Sequence, residues 1–125
     1  MLDGSGIYKV ARQRAEEMLG SQVLHPFGPD WDVFKVRGKI SLLLTAVTGQ
    51  QQMIIKAEPE DCQALQQQYP FIAPGYHMNK RHWVSVYPHA DLHERLVEEL
   101  VTDSYRLVVE KLPRGRRPID PSSVH

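Results

Sequence analysis

With a single cysteine among its 125 residues, Cys62, the chain has no disulfide framework and no thiolate zinc cluster. No apolar run approaches the roughly 18 residues that mark a membrane span. The opening Met1-Leu2-Asp3-Gly4-Ser5-Gly6 lacks the basic and apolar regions of a secretory leader, so the expected location is the cytoplasm, with no membrane contact. Net charge is missing too: 15 Lys and Arg balance 15 Asp and Glu, which excludes a polycation held to its partner by bulk charge. Any anion site must be local. Neither a Walker loop nor a Gly-x-Gly-x-x-Gly turn is present, and no nucleophile triad can be assembled. The expectation is therefore a protein without cofactor and without catalysis.

What is present is a domain-sized chain, 42% hydrophobic and 24% charged. A chain of this length buries roughly 65–70% of its unfolded surface without a staple. Ile7, Val10, Ala11, Met18 and Leu19 recur at helical spacing, with Ser5 placed to cap and Gly20 to stop a first helix. The two prolines and glycine of His25–Asp30 predict a loop. Beyond it the period falls to two: Val33–Arg37 and Ile40–Val47 predict a hairpin turning at Arg37-Gly38-Lys39. Met53–Lys56 predicts a third strand. Acids beside Pro59 start a second helix, which runs to about Gln68. After an irregular link over Phe71–Gly75, Tyr76–Met78 and His82–Tyr87 predict a second hairpin around Asn79-Lys80-Arg81. Leu92, Leu96, Leu100, Val108 and Leu112 mark a last helix entered at Asp91, with Thr102-Asp103-Ser104 a candidate break within it. The expected fold is α+β: a two-layer domain over residues 1–113 in the order α-β-β-β-α-β-β-α. A mostly antiparallel five-stranded sheet carries helices on one face, and a flexible tail spans 114–125.

Neutrality hides segregation. Residues 33–57 hold Lys35, Arg37, Lys39 and Lys56 and no acid, whereas 91–103 hold Asp91, Glu94, Glu98, Glu99 and Asp103 against Arg95 alone. Both expected hairpin turns are basic, which suits phosphate contacts and equally suits ordinary solvated turns.

Phe34-Lys35-Val36-Arg37-Gly38-Lys39-Ile40, the run Pro74-Gly75-Tyr76-His77-Met78-Asn79-Lys80-Arg81-His82-Trp83, and Ser104-Tyr105-Arg106-Leu107-Val108 together resemble the MmcQ/YjbR family. Pro26-Phe27-Gly28-Pro29 and Lys56…Glu58-Pro59 extend the resemblance over about residues 5–113. It implies a fold similar to type III secretion chaperones, often compared with the CyaY arrangement. It also implies a DNA-binding role through a "double wing", the wings here being the hairpins around Gly38 and Lys80. On that reading Lys35, Arg37, Lys39, Lys80 and Arg81 contact DNA phosphates, with Asn79 and His82 assisting. The alternative is a chaperone-like module that docks a protein partner or a second copy of the chain.

Other constellations carry less. His77 and His82 on opposite arms of a hairpin make a two-histidine site imaginable, but a metal needs a third ligand, and neither His89 nor Asp91 is fixed by any motif. Cys62 sits among Glu58, Glu60 and Asp61, which oppose a reactive thiolate. Asp91, Glu94 and Glu98 share a helical face, as an ordinary solvated face also does. Trp83 and Tyr105 are expected in the core, the Tyr105 hydroxyl finding a partner at its margin.

Overall fold

The computed structural model describes residues 3–125; Met1 and Leu2, the start of the segment expected not to be a leader, lie outside it. Helix α1 (Gly4–Glu17) is capped by Asp3 rather than Ser5: the Asp3 carboxylate accepts from the Gly6 N–H at 2.8 Å, with the Ser5 hydroxyl donating to the same oxygen. These bonds favour the charged carboxylate and lower its pKa. Gly20, at φ 80°, turns the chain into β1 (Ser21–Leu24). Strands β2 (Trp31–Val36) and β3 (Lys39–Thr45) form the expected hairpin. Its two-residue turn places Arg37 at φ 50° and Gly38 at φ 80°, the primed geometry that matches strand twist. Strand β4 (Gln52–Lys56) and helix α2 (Pro59–Gln68) follow as anticipated.

Six strands are present rather than five, in the order β1-β2-β3-β4-β6-β5, and every neighbouring pair is antiparallel. The additional strand is β1. It is too exposed to carry an alternating pattern, and its pairing with β2 through Ser21↔Val36 and Leu24↔Val33 makes it a strand. A second correction concerns the last hairpin. Strand β5 is Ile72–Pro74, within the segment expected to be an irregular link, and β6 is Trp83–Val86. Tyr76–Met78 is not a strand. Pro74 is tolerated because β5 is an edge, and the following residues leave the ladder, with His77 at φ 68°. Helix α3 (Glu94–Lys111) starts three residues after Asp91 and runs through Thr102-Asp103-Ser104 unbroken. Thr102 satisfies its hydroxyl by donating to the Glu98 carbonyl at 2.8 Å instead of capping a new start.

Alternation along the strands divides the core. Phe34, Leu42, Leu44, Met53, Ile55, Val84 and Val86 face Ile7 and Ala11 of α1 and Val97, Leu100 and Val101 of α3. Trp31, Val33, Leu43, Ile54 and Trp83 point the other way, where no helix lies, yet Val33, Leu43 and Ile54 have no exposed surface. Loops seal that face. The residue 75–82 arch lays Met78 against it, and Phe27, Trp31, Tyr76 and His77 interlock, with Trp31 stacked on Tyr76 at 6.0 Å and tilted on His77 at 5.1 Å. Each fully buried side chain of this kind contributes roughly 1.5–3 kcal/mol.

A bulge shapes the end of the hairpin. The register jumps from Phe34↔Leu42 to Lys35↔Ile40, leaving Ser41 unpaired on β3. Ser104 of α3, wholly buried, fills the gap by donating to the Ser41 carbonyl at 2.7 Å and accepting from the Lys56 N–H at 2.8 Å. The segment after Pro113, expected as a loose tail, forms two short 3-10 turns, Arg114–Arg116 and Pro121–Ser123. It returns Val124 to a cluster with Val36, Tyr105, Val108 and Val109. Arg106 and Arg14 donate to the Val124 and His125 carbonyls.

Candidate anion-binding site

The seven residues expected to touch phosphate do not share one environment. Lys35 is half-buried on β2 opposite Ile40. Arg37, at the hairpin tip, donates from Nε to the Arg116 carbonyl at 3.0 Å, which ties the first turn to the C-terminal segment. In the second loop some polar atoms help to build the arch. Asn79 Oδ1 accepts from the Arg81 N–H at 2.8 Å, and Lys80 Nζ donates to the Gly75 carbonyl at 2.8 Å. The His82 N–H donates to the Asn79 carbonyl, and the His82 carbonyl accepts from the Ala57 N–H at 2.9 Å. Arg81 is exposed.

Lys39 is placed differently. It stands at the start of β3 on the rim of a cavity of about 500 Å³ lined by Gly38, Ile40, Lys56, Met78, Trp83, Val108, Lys111 and Leu112. The tip of the first hairpin and the arch of the second loop thus converge on one cavity, and β4 and α3 each add a lysine to it. Lys35, Arg37, Lys80 and Arg81 lie outside its lining. Lys56 and Lys111 were not among the expected contacts. Lys56 stood within the acid-free stretch, which was a usable signal. Lys111 lies 55 positions further along the chain, and only the packing of α3 on β3 and β4 brings it near.

Three lysines and no carboxylate line the cavity. Lys56 Nζ lies over the Trp83 ring at 5.9 Å from its centroid. Burial lowers the Lys56 pKa below the ordinary lysine value; Lys111 lowers it further, Glu58 acts against the shift, and Lys39 adds to it. Lys111 Nζ is 3.3 Å from Glu58 Oε1, an ion pair exposed on both sides. The groove between α2 and α3 has the opposite character: Glu58, Asp61, Asp103 and Glu110 line it together with Lys56 and Arg106. Lys56 borders both cavities.

His77 belongs to the aromatic cluster over the helix-free face. His89 packs on Phe71 at 5.0 Å and accepts from the Asp91 N–H at 3.0 Å through Nδ1. Among the described residues no three His, Cys, Asp or Glu side chains are grouped to hold a metal ion, and no helix is long and apolar enough to cross a membrane. Trp83 is 7% exposed, and the Tyr105 hydroxyl donates to the Leu19 carbonyl at 2.5 Å.

An antiparallel six-stranded sheet with helices on one face and a lysine-rimmed cavity at one end defines a small two-layer α+β domain. The YjbR family model matches residues 17–107, and the chain belongs to the YjbR family. It is 41% identical over 113 residues to the uncharacterized protein YbdF of Escherichia coli O157:H7, a match covering 90% of this chain and 93% of that one. To the uncharacterized protein YjbR of Escherichia coli K12 it is 30% identical over 92 residues, covering 72% and 78%. A crystal structure of a Deinococcus radiodurans protein with a DUF419 domain superposes with a TM-score of 0.78 at 33% identity, covering 85% of this chain and 81% of that one. A Pseudomonas syringae crystal structure gives a TM-score of 0.65 at 29% identity, covering 76% and 92%.

Proposed function

We propose that this chain is a non-enzymatic nucleic-acid-binding module whose phosphate contacts centre on Lys39, Lys56 and Lys111, with Lys35, Arg37 and Arg81 as outlying charges. The observation that carries this reading is that Lys39 of the first basic loop meets Lys56 and Lys111 at one cavity, against which the second loop lays Met78. In a chain of zero net charge such a concentration is local, and the acidic groove beside it limits the footprint. Asn79 and Lys80 each use one polar atom to shape the arch and keep donors facing solvent, so they join Lys35, Arg37 and Arg81 as outlying contacts. The test is fluorescence anisotropy of labelled DNA titrated at several salt concentrations, with the Lys39→Glu, Lys111→Glu double variant alongside. The expected result is affinity that falls steeply with salt, a weakening of tenfold or more in the variant, and a log–log slope shallower by about two. Absence of binding at low salt, or an unchanged variant, overturns it.

A second reading, docking of a protein strand, is favoured by the exposed edge at β1. There Leu19, Val23, Leu24 and Phe27 are 57%, 37%, 42% and 43% exposed, and no charged residue stands in the strand to block pairing. Sedimentation of the chain by itself, showing a monomer at micromolar concentration, removes a second copy as the occupant of that edge.

A further inference from the structure

We propose that the Lys39–Lys56–Lys111 cavity binds a nucleoside phosphate, free or at the end of a strand, with the phosphate among the three ammonium groups and the base against Ile40, Met78 and the edge of Trp83. This rests on the reading above and narrows its ligand.

The shape of the site requires more than a phosphate. A backbone phosphate of a duplex needs only a charged surface, and it would leave the apolar floor of Ile40, Met78, Trp83, Val108 and Leu112 open to water. A volume of about 500 Å³ lies within the range of small-ligand pockets, and a few convergent charges over an apolar lining is their usual composition. A ligand with a charged end and a flat apolar body satisfies both parts at once. The charged end is assigned to phosphate because three lysine point charges, with no arginine fork among them, suit a compact dianion. The sequence has no glycine-rich phosphate loop, so here lysines take the place of backbone N–H groups.

A competitor stands beside the cavity, in the neighbouring acidic groove. Glu58 engages Lys111 at 3.3 Å in a pair whose side chains are 59% and 46% exposed. Such exposed pairs are weak, so a phosphate can take Lys111 from the carboxylate at little cost. Removing the carboxylate should therefore strengthen binding, an outcome that a nonspecific basic surface also shows only in proportion to net charge. Lys56 should matter most. It is the lysine that touches the Trp83 ring while bordering both cavities, and an added anion relieves its repulsion from Lys39 and Lys111.

The test is calorimetric titration of the full chain with adenosine 5′-monophosphate, adenosine, ribose 5-phosphate, and a pentanucleotide with and without its 5′-phosphate. Saturable binding of the monophosphate, at least tenfold tighter than adenosine or ribose 5-phosphate, supports a free nucleotide as the source. Binding of the phosphorylated pentanucleotide alone supports a strand end. In either case Lys56→Met should weaken binding at least tenfold, and Glu58→Gln should tighten it several-fold. Lys39→Met, at an exposed rim position, provides the same readout if Lys56→Met fails to fold. Equal binding of phosphorylated and unphosphorylated pentanucleotides, or no binding of any small probe while long DNA still binds with steep salt dependence, overturns this inference and leaves the proposed function standing. Loss of binding to every nucleic acid overturns both.

Discussion

Replacing Ser104 by alanine should be among the most costly single-atom deletions in this protein. The β3–β4 ladder runs from Thr45↔Gln52 to Leu42↔Ile55, and its next pair would be Ser41 with Lys56. The bulge at Ser41 prevents that direct pairing. The Ser104 hydroxyl stands between the two strands instead, donating to the Ser41 carbonyl at 2.7 Å and accepting from the Lys56 N–H at 2.8 Å. Ser104→Ala leaves a buried acceptor and a partly buried donor without partners, each costing about 1–3 kcal/mol, while alanine returns up to about 0.5 kcal/mol of helix propensity. The net loss should be about 2–3 kcal/mol, a large part of the roughly 5–15 kcal/mol typical of a domain. Urea unfolding measures it. With a slope near 1–3 kcal/mol/M, the midpoint should fall by about 1–2 M without a change in slope. Ser41→Ala is the internal control, because it removes only a 3.3 Å hydroxyl bond to Phe34 and keeps the carbonyl that Ser104 uses; it should cost under about 1 kcal/mol. A loss below about 0.5 kcal/mol for Ser104→Ala, or equal losses for both variants, would refute the bridging role.

Gly75→Ala should displace the arch over the helix-free face, since a Cβ there would sit 2.7 Å from Trp83 Cβ and 2.8 Å from its backbone carbonyl. A loss of about 1–3 kcal/mol and a red shift in tryptophan emission are expected, and unchanged thermal unfolding would refute the close contact. Cys62 is 1% exposed, and burial, followed by the neighbouring Asp61, pushes its thiol pKa up. Its alkylation at pH 8 should be at least tenfold slower than that of free cysteine and should recover in urea. Because the folded pKa is raised, the thiol's contribution to stability is present below the ordinary thiol pKa and declines as pH rises through that value, where the unfolded chain loses its proton first. Fast labelling of the folded chain would contradict this.

The parts of this protein that its sequence determined are those decided over a few neighbouring residues. The Arg37-Gly38 turn follows from the need for positive φ at two adjacent positions, and Pro59 with Glu60 and Asp61 marks the start of α2. Alternation announces β2, apolar runs rich in Leu and Ile announce β3 and β4, and the Tyr105 hydroxyl finds its carbonyl at the margin of the core. Lys35, Lys39 and Lys56 were visible as a basic stretch without acids. The tertiary structure decided what depends on partners distant in the chain. Exposed β1 is a strand only because β2 lies beside it, and Tyr76–Met78 leaves the sheet because the apolar Val33, Leu43 and Ile54 need a cover that no helix supplies. That Asn79 Oδ1 and Lys80 Nζ also close the arch is visible only in the folded chain. Lys111 joins Lys39 and Lys56 only when α3 packs on the sheet. Charge acts across space at distances of a few ångströms, whereas sequence patterns report only neighbours a few residues apart.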